Sequence, residues 1–163
     1  MEEKKVSEVL KRLVPPHKKA SRTVTEADLD RVMEEAKILY KICFESIGDY
    51  TGAFAMHHSQ IDDKDPLSLF VTCDRKIVIN PVITRHSNYT TDSKEACMSF
   101  ADRPQIIVPR WHKIEVDYIT IMVDPDDKDK FKLSGVQKEK FSSLPSFIWQ
   151  HEIDHGNAQF IYQ

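Results

Sequence analysis

The chain has 163 residues and lacks most of the features that place a sequence quickly. No apolar run is long enough to span a membrane. The formal net charge is only −3, from 23 basic and 26 acidic residues, so there is no cationic excess to bind a nucleic-acid backbone. Cysteine is scarce. Three residues, an odd count without framework spacing, exclude a disulfide scaffold and point to a reducing compartment. The start, Met1-Glu2-Glu3-Lys4-Lys5, mixes both signs of charge, unlike a signal or transit peptide. There is no internal repeat and no low-complexity segment. These absences lead to the expectation of a cytoplasmic, single-domain protein over 1–163, long enough for a substantial core.

What is present reads as α+β. Val6, Leu10 and Leu13 predict a short amphipathic helix over 2–13, closed by Pro15-Pro16, and 17–24 reads as a polar loop. Thr25-Glu26-Ala27-Asp28 is a capping-box variant. Leu29, Val32, Met33, Ala36, Leu39, Tyr40 and Cys43 then follow with helical period, predicting a helix to about Ser46 with Cys43 as a structural core residue. Gly48 and Gly52 mark a loop. Leu67 to Cys73 and Lys76 to Ile79 predict a hairpin around Asp74-Arg75, with Cys73 no ligand. Ile83 continues a strand into a polar loop over 85–94. Ile106 to Val108 is a strand stopped by Pro109. Ile114, Val116 and Tyr118 share one face of a strand that becomes apolar on both faces at Ile119 to Val123, as a strand entering the core would. Asp124-Pro125-Asp126-Asp127 is a turn, and Phe131 to Leu133 is the last strand predicted before a C-terminal helix.

That helix carries the chemistry. Gln150-His151-Glu152-Ile153-Asp154-His155-Gly156 contains His-Glu-x-x-His. Positions i and i+4 lie one above the other on a helix, so two imidazoles can bind one metal ion, with a carboxylate beside them to move protons. Ser143 is the expected N-cap, Pro145 lies in the first turn, and Gly156 is the expected stop. Leu144, Phe147 and Ile148 precede His151 and His155 at helical spacing, so the histidines should continue the apolar face into the protein. A catalytic site of this kind takes three protein ligands. No His, Cys, Asp or Glu follows His155, and the best upstream candidate is Cys97.

Glu95-Ala96-Cys97-Met98-Ser99 together with Gln150-His151-Glu152-Ile153-Asp154-His155 resembles the peptide deformylase family, whose motifs read Glu-Gly-Cys-Leu-Ser and Gln-His-Glu-x-Asp-His. Ala53-Phe54-Ala55-Met56-His57-His58-Ser59-Gln60 has the length and final Gln of the family's Gly-φ-Gly-φ-Ala-Ala-x-Gln motif, and otherwise diverges. Val78-Ile79-Asn80-Pro81 and Val108-Pro109-Arg110 resemble further family segments, in the same order. The resemblance covers roughly 27–160, leaving 1–24 as a variable extension. It implies antiparallel sheets around the helix that bears the histidines.

The resemblance also implies a function: hydrolysis of the N-formyl group of new polypeptides, usually on methionine. One divalent ion would sit on Cys97, His151 and His155, ferrous iron first, with zinc, nickel or cobalt as alternatives. Glu152 would move the proton, and the backbone N–H of Met98 and the amide of Gln60 would meet the oxyanion. Phe54, Phe147 and Ile148 are candidates for the methionine pocket. Ala55, Glu95, Ala96 and Arg103 are further substrate-binding candidates. Arg110 is the expected partner of Asp154 in a shell around the ligands. His57 and His58 replace two small residues. Neighbours in an extended segment point opposite ways, so at most one faces the site. Alanine stands at three family glycines (Ala53, Ala55, Ala96). The chain also stops before the longer C-terminal helix of many bacterial members, as short virus-encoded members do. A monomer in the cytoplasm follows (the host's, if the source is viral), with direct ribosome docking doubtful and no membrane or nucleic-acid partner. Two other readings stay open: an amidase or peptidase acting on another blocked substrate, and a catalytically silent metal-binding homologue.

Overall fold

A computed structural model describes residues 13–15, 19–45, 54–100 and 102–162. The helix expected over 2–13 lies, Leu13 apart, outside the described residues, as do Gly48, Gly52 and Ala53. Helix α1 is Leu29–Glu45, preceded by a 3-10 turn, Glu26–Asp28. The Asp28 carboxylate accepts the Thr25 backbone N–H at 2.9 Å, so the capping box contributes its return bond.

A five-stranded antiparallel sheet follows, in the order β1 (Ala55–His57), β2 (Leu69–Thr72), β3 (Ile77–His86), β6 (Lys113–Ile119), β9 (Gln137–Ser142). Two hairpins stand apart from it: β4 (Thr90–Glu95) with β5 (Ile106–Trp111), and β7 (Ile121–Val123) with β8 (Phe131–Leu133). Helix α2 is Leu144–Gly156.

The period of two sorts side chains to the two faces of the sheet. Met56, Leu69, Val71 and Ile79 join Val32, Ala36, Leu39 and Ile42 of α1 in one core cluster. Phe70, Val78, Ile114, Val116 and Tyr118 face the other way and join Trp149 of α2. Strand β2 is therefore buried on both faces, which explains its unbroken apolar run. Trp149 anchors α2, its ring 5.1 Å from Phe70 and Tyr118 and 4.5 Å from Phe141. At a bulge in β3, Asn80 adopts φ 52° and brackets Val24, accepting its N–H at 2.9 Å and donating to its carbonyl at 3.0 Å. Val24 lies in the core, and Ser21 N–H donates to the Gly156 carbonyl at 2.9 Å. Leu13 also packs against this core and Val14 N–H donates to the Gln60 carbonyl at 2.9 Å, so the described parts of the segment assigned to a variable extension are built into the fold.

Several expectations need correction. The polar loop over 85–94 is instead the end of β3, a short turn at 87–89 and most of β4, and Phe131–Leu133 is followed by another strand, β9. Both missed strands are polar because they lie at sheet edges with little face to bury. Pro109 does not stop β5. It pairs opposite Asp92 on an exposed edge, where a missing N–H costs nothing. The Ile119–Val123 segment enters the core only in part: Ile119 and Ile121 pack against it, while Met122 and Val123 are exposed. Ser143 sits at the N-cap of α2 with φ 57°, but its hydroxyl makes no capping bond. The helix ends at Gly156 as expected, but the left-handed residue that closes it is Ala158, φ 56°, not the glycine. Gly156 has another reason: a Cβ there would lie 3.1 Å from His57 Nε2 and 3.2 Å from Ser21 Oγ. The deepest face of α2 carries Ser146, Trp149, Glu152 and His155, while Leu144 is exposed and His151 half-buried.

Candidate metal centre

Helix α2 and the turn after β4 bring three soft donors together. Cys97 Sγ lies 3.4 Å from His155 Nε2, which lies 3.2 Å from His151 Nε2. All three ligand atoms fall within 4.8 Å of one another. Two nitrogens at about 2.05 Å from a tetrahedral ion are about 3.3 Å apart, and a nitrogen and a thiolate about 3.6 Å apart. The spacing observed here fits one divalent ion.

The surrounding groups set the charges. The Glu95 carboxylate accepts from His151 Nδ1 at 2.8 Å, leaving Nε2 aimed at the other donors. Arg110 closes on both oxygens of Glu95, at 2.9 and 2.8 Å, and reaches Asp154 at 2.5 Å. Burial works against charge on Glu95, but the Arg110 guanidinium and His151 bring its carboxyl down to about 2. Burial likewise opposes charge on His151, yet its bonds to Cys97 and Glu95 push it up to about 10. Burial, and then the neighbouring His151 charge, drive His155 well below the ordinary imidazole range. A metal ion would sit where the two Nε2 atoms face each other at 3.2 Å. Glu152 is 4% exposed and its Oε2 has no hydrogen-bond partner among the described residues. Burial is the main cause that raises its carboxyl to about 7.

Gln60 closes the opposite wall. It caps the turn His58–Gln60, accepts from His57 N–H at 2.9 Å, and donates to Ser99 Oγ at 3.1 Å beside Cys97. Met98 opens the turn that follows Cys97. Phe147 and Ile148 are half-buried one turn before His151, and Phe54 and Ala96 are exposed. Ala55 is buried in β1. Glu95 has its carboxylate occupied by Arg110 and His151, which leaves only its backbone for substrate. The Arg103 guanidinium lies over Phe100 and Tyr162, at 5.6 and 5.4 Å.

Neither His57 nor His58 lines a cleft, as both are buried. His57 lies behind His155 with nearly parallel rings 6.3 Å apart. His58 accepts from Leu67 N–H at 2.8 Å and meets Glu35 at 2.5 Å. Glu35, His58 and Asp62 form a second cluster of potential ligands, but Arg31 already pairs with both carboxylates, at 3.0 and 2.8 Å. Cys43 is a core thiol whose pKa burial pushes up, and Cys73 sits at the end of β2 away from the donors. Sequence reasoning missed the work of Gln150. Its amide grips both backbone groups of Trp111, at 3.0 and 2.8 Å, and fixes α2 to β5. Its place inside the quoted motif was the available signal.

A Cys-His-His donor set on a His-Glu-x-x-His helix, in an α+β frame, defines a metal-dependent hydrolase. A family model described as polypeptide deformylase matches residues 7–163, and the chain belongs to that family. A comparison with curated proteins gave no match. Among solved structures, the class I type b peptide deformylase of Acinetobacter baumannii is 19% identical with a TM-score of 0.73, over 93% of this chain and 97% of that one. The peptide deformylase of Thermotoga maritima is 20% identical with a TM-score of 0.69, over 94% and 88%. The deformylase of the Vibrio parahaemolyticus bacteriophage VP16T, solved with actinonin, is 22% identical with a TM-score of 0.70, over 91% and 95%. At these identities the structural likeness speaks to the fold. No described helix is long and apolar enough to cross a membrane.

Proposed function

We propose that this chain, acting as one domain over 1–163, hydrolyses the formyl group from the amino-terminal methionine of new polypeptides, releasing formate and a free amine. One observation carries the reading. Cys97, His151 and His155 converge beside Glu152, whose Oε2 is buried and unpartnered among the described residues. The three residues would hold one divalent ion, ferrous iron first, with zinc, nickel or cobalt as alternatives. Such an ion supplies Lewis acidity, polarising a carbonyl and easing the ionisation of water. Glu152 takes a proton from the attacking water and delivers it to the amine nitrogen as the C–N bond breaks. Gln60 has a second amide N–H beyond the one given to Ser99, and with the Met98 backbone N–H it meets the developing oxyanion.

Phe54, Phe147 and Ile148 would receive the methionine side chain, and the backbone of Ala55, Glu95 and Ala96 would run beside the peptide. Asp154 and Arg110 steady the ligand helix. The proposed setting is a cytoplasmic monomer that meets formylmethionyl peptides. A substrate panel tests the reading. Formyl-Met-Ala-Ser should be cleaved, and acetyl-Met-Ala-Ser and unblocked Met-Ala-Ser should not. Cleavage of the acetyl peptide at a comparable rate would instead favour an amidase of broader scope.

A further inference from the structure

We infer that Phe160 is the positioning residue for the ligand ring of His155, and that Tyr162 ties the segment carrying Phe160 to the turn that carries Cys97. The inference rests on the proposed role of His155 as a ligand. The two histidines are held by different means. His151 has a carboxylate on its second nitrogen, Glu95 at 2.8 Å. His155 Nδ1 is buried and finds no hydrogen-bond partner among the described residues. The second side-chain torsion of histidine is broad, so without a polar partner the ring is oriented by its neighbours. Its ring neighbours outside the donor set, among the described residues, are His57 behind it, at 6.3 Å, and Phe160, at 5.1 Å and 82°. An edge-to-face contact at this distance is a favourable aromatic geometry.

The chain after α2 is bent to deliver that ring. Ala158 N–H donates to the His155 carbonyl at 3.0 Å and Gln159 N–H to the Asp154 carbonyl at 2.8 Å. Ala158 has φ 56°. This cap reverses the chain over the end of the helix, with alanine where glycine is usual. The reversal is secured further on. Phe160 meets the Phe100 ring at 5.8 Å and Tyr162 meets it at 5.1 Å. The Tyr162 hydroxyl donates to the Pro104 carbonyl. Arg103 covers Phe100 and Tyr162 together. Phe100 in turn belongs to the Cys97 turn, its N–H donating to the Cys97 carbonyl at 2.9 Å. One aromatic cluster therefore braces two ligands that lie 58 residues apart. Arg103 serves this cluster and not the donor set.

The test follows metal retention in the full chain loaded with cobalt(II). Bound metal is measured first, then its loss into excess chelator, with the cobalt visible spectrum as a second readout. Phe160→Ala should release metal about tenfold faster, the low end of the loss seen when groups behind metal ligands are removed. The visible bands should shift, and melting of the metal-free protein should stay close to wild type. Phe160→Tyr, which keeps the ring, should restore release to within about twofold and restore the spectrum. If Phe160→Ala does not fold, Phe160→Leu replaces it, with the same expectation. Wild-type release and spectrum in the ringless variants, with wild type holding one equivalent, would overturn the inference and leave the site standing. Faster release that Phe160→Tyr fails to restore would also overturn it. A wild-type chain that binds no metal would remove the ligand reading and this inference with it.

Discussion

Replacing Arg110 by methionine should unsettle both the fold and the metal centre. Arg110 is 6% exposed, and it gives two hydrogen bonds to Glu95 and one to Asp154. Asp154 is about one-third exposed and can return to water, so its lost bond costs little. Glu95 is 9% exposed and cannot. Removing one partner of a buried pair costs about 3–5 kcal/mol, because the other charge stays buried and uncompensated. Glu95 keeps His151 and can take up a proton once the guanidinium is gone, so the lower end, about 3 kcal/mol, applies. With a urea slope of about 2 kcal/mol/M, the unfolding midpoint of the metal-free protein should fall by about 1.5 M. Metal affinity should fall about 10- to 100-fold as Glu95 loses its fixed orientation toward His151. Adding Glu95→Gln should recover part of the stability but none of the affinity. A stability loss under about 1 kcal/mol with unchanged metal affinity would refute the reasoning.

Asp28 accepts from Arg22 at 2.8 and 2.9 Å and from the Thr25 N–H, which together hold its carboxyl well below the usual range. A depressed folded pKa gives stability that is present above the unfolded value of about 3.9 and is lost as pH falls toward the folded one. The difference in melting temperature between wild type and Asp28→Asn should therefore be constant near neutrality and shrink below about pH 4; a difference that grew there would contradict the assignment. Ala158→Gly should stabilise by about 0.5–1 kcal/mol in chemical denaturation, the relief of a left-handed alanine less the entropy that glycine adds to the unfolded chain. Gly156→Ala should cost about 1 kcal/mol net, because crowding against His57 outweighs the gain in helix propensity. His57 cannot yield, since Ser59 N–H holds its Nδ1 at 3.0 Å; a stabilised variant would show that it can.

The parts of the fold legible in the sequence are those that bury a face. Helix α1, the β2–β3 hairpin and the Ile114, Val116, Tyr118 stripe each wrote a period into the chain because one side meets the core. Strands β4 and β9 left no such mark. Thr90–Glu95 buries only Ser93, and Gln137–Ser142 buries nothing fully, so their pairing with β5 and β6 rests on backbone bonds that composition does not reveal. The same holds at the site. The His-Glu-x-x-His spacing marked His151, Glu152 and His155 as candidates, and the resemblance added Cys97. Of their supports, only the Arg110–Asp154 pair was legible. Glu95 looked like a substrate contact until the β4–β5 hairpin turned it toward Arg110 and His151. Phe160 carried no signal, because only the reversal at Ala158 brings it back to His155.

The central claim is that a buried carboxylate beside three metal-binding donors breaks the formamide bond. The most direct test loads wild type and Glu152→Gln with ferrous iron without oxygen and follows formate release from formyl-Met-Ala-Ser. The account predicts one equivalent of metal in both proteins, and a rate about 10²–10⁴-fold lower in the variant, the range for a lost general acid–base. Equal rates with equal metal would contradict the role given to Glu152. An absence of formate from a fully loaded wild type would contradict the function itself.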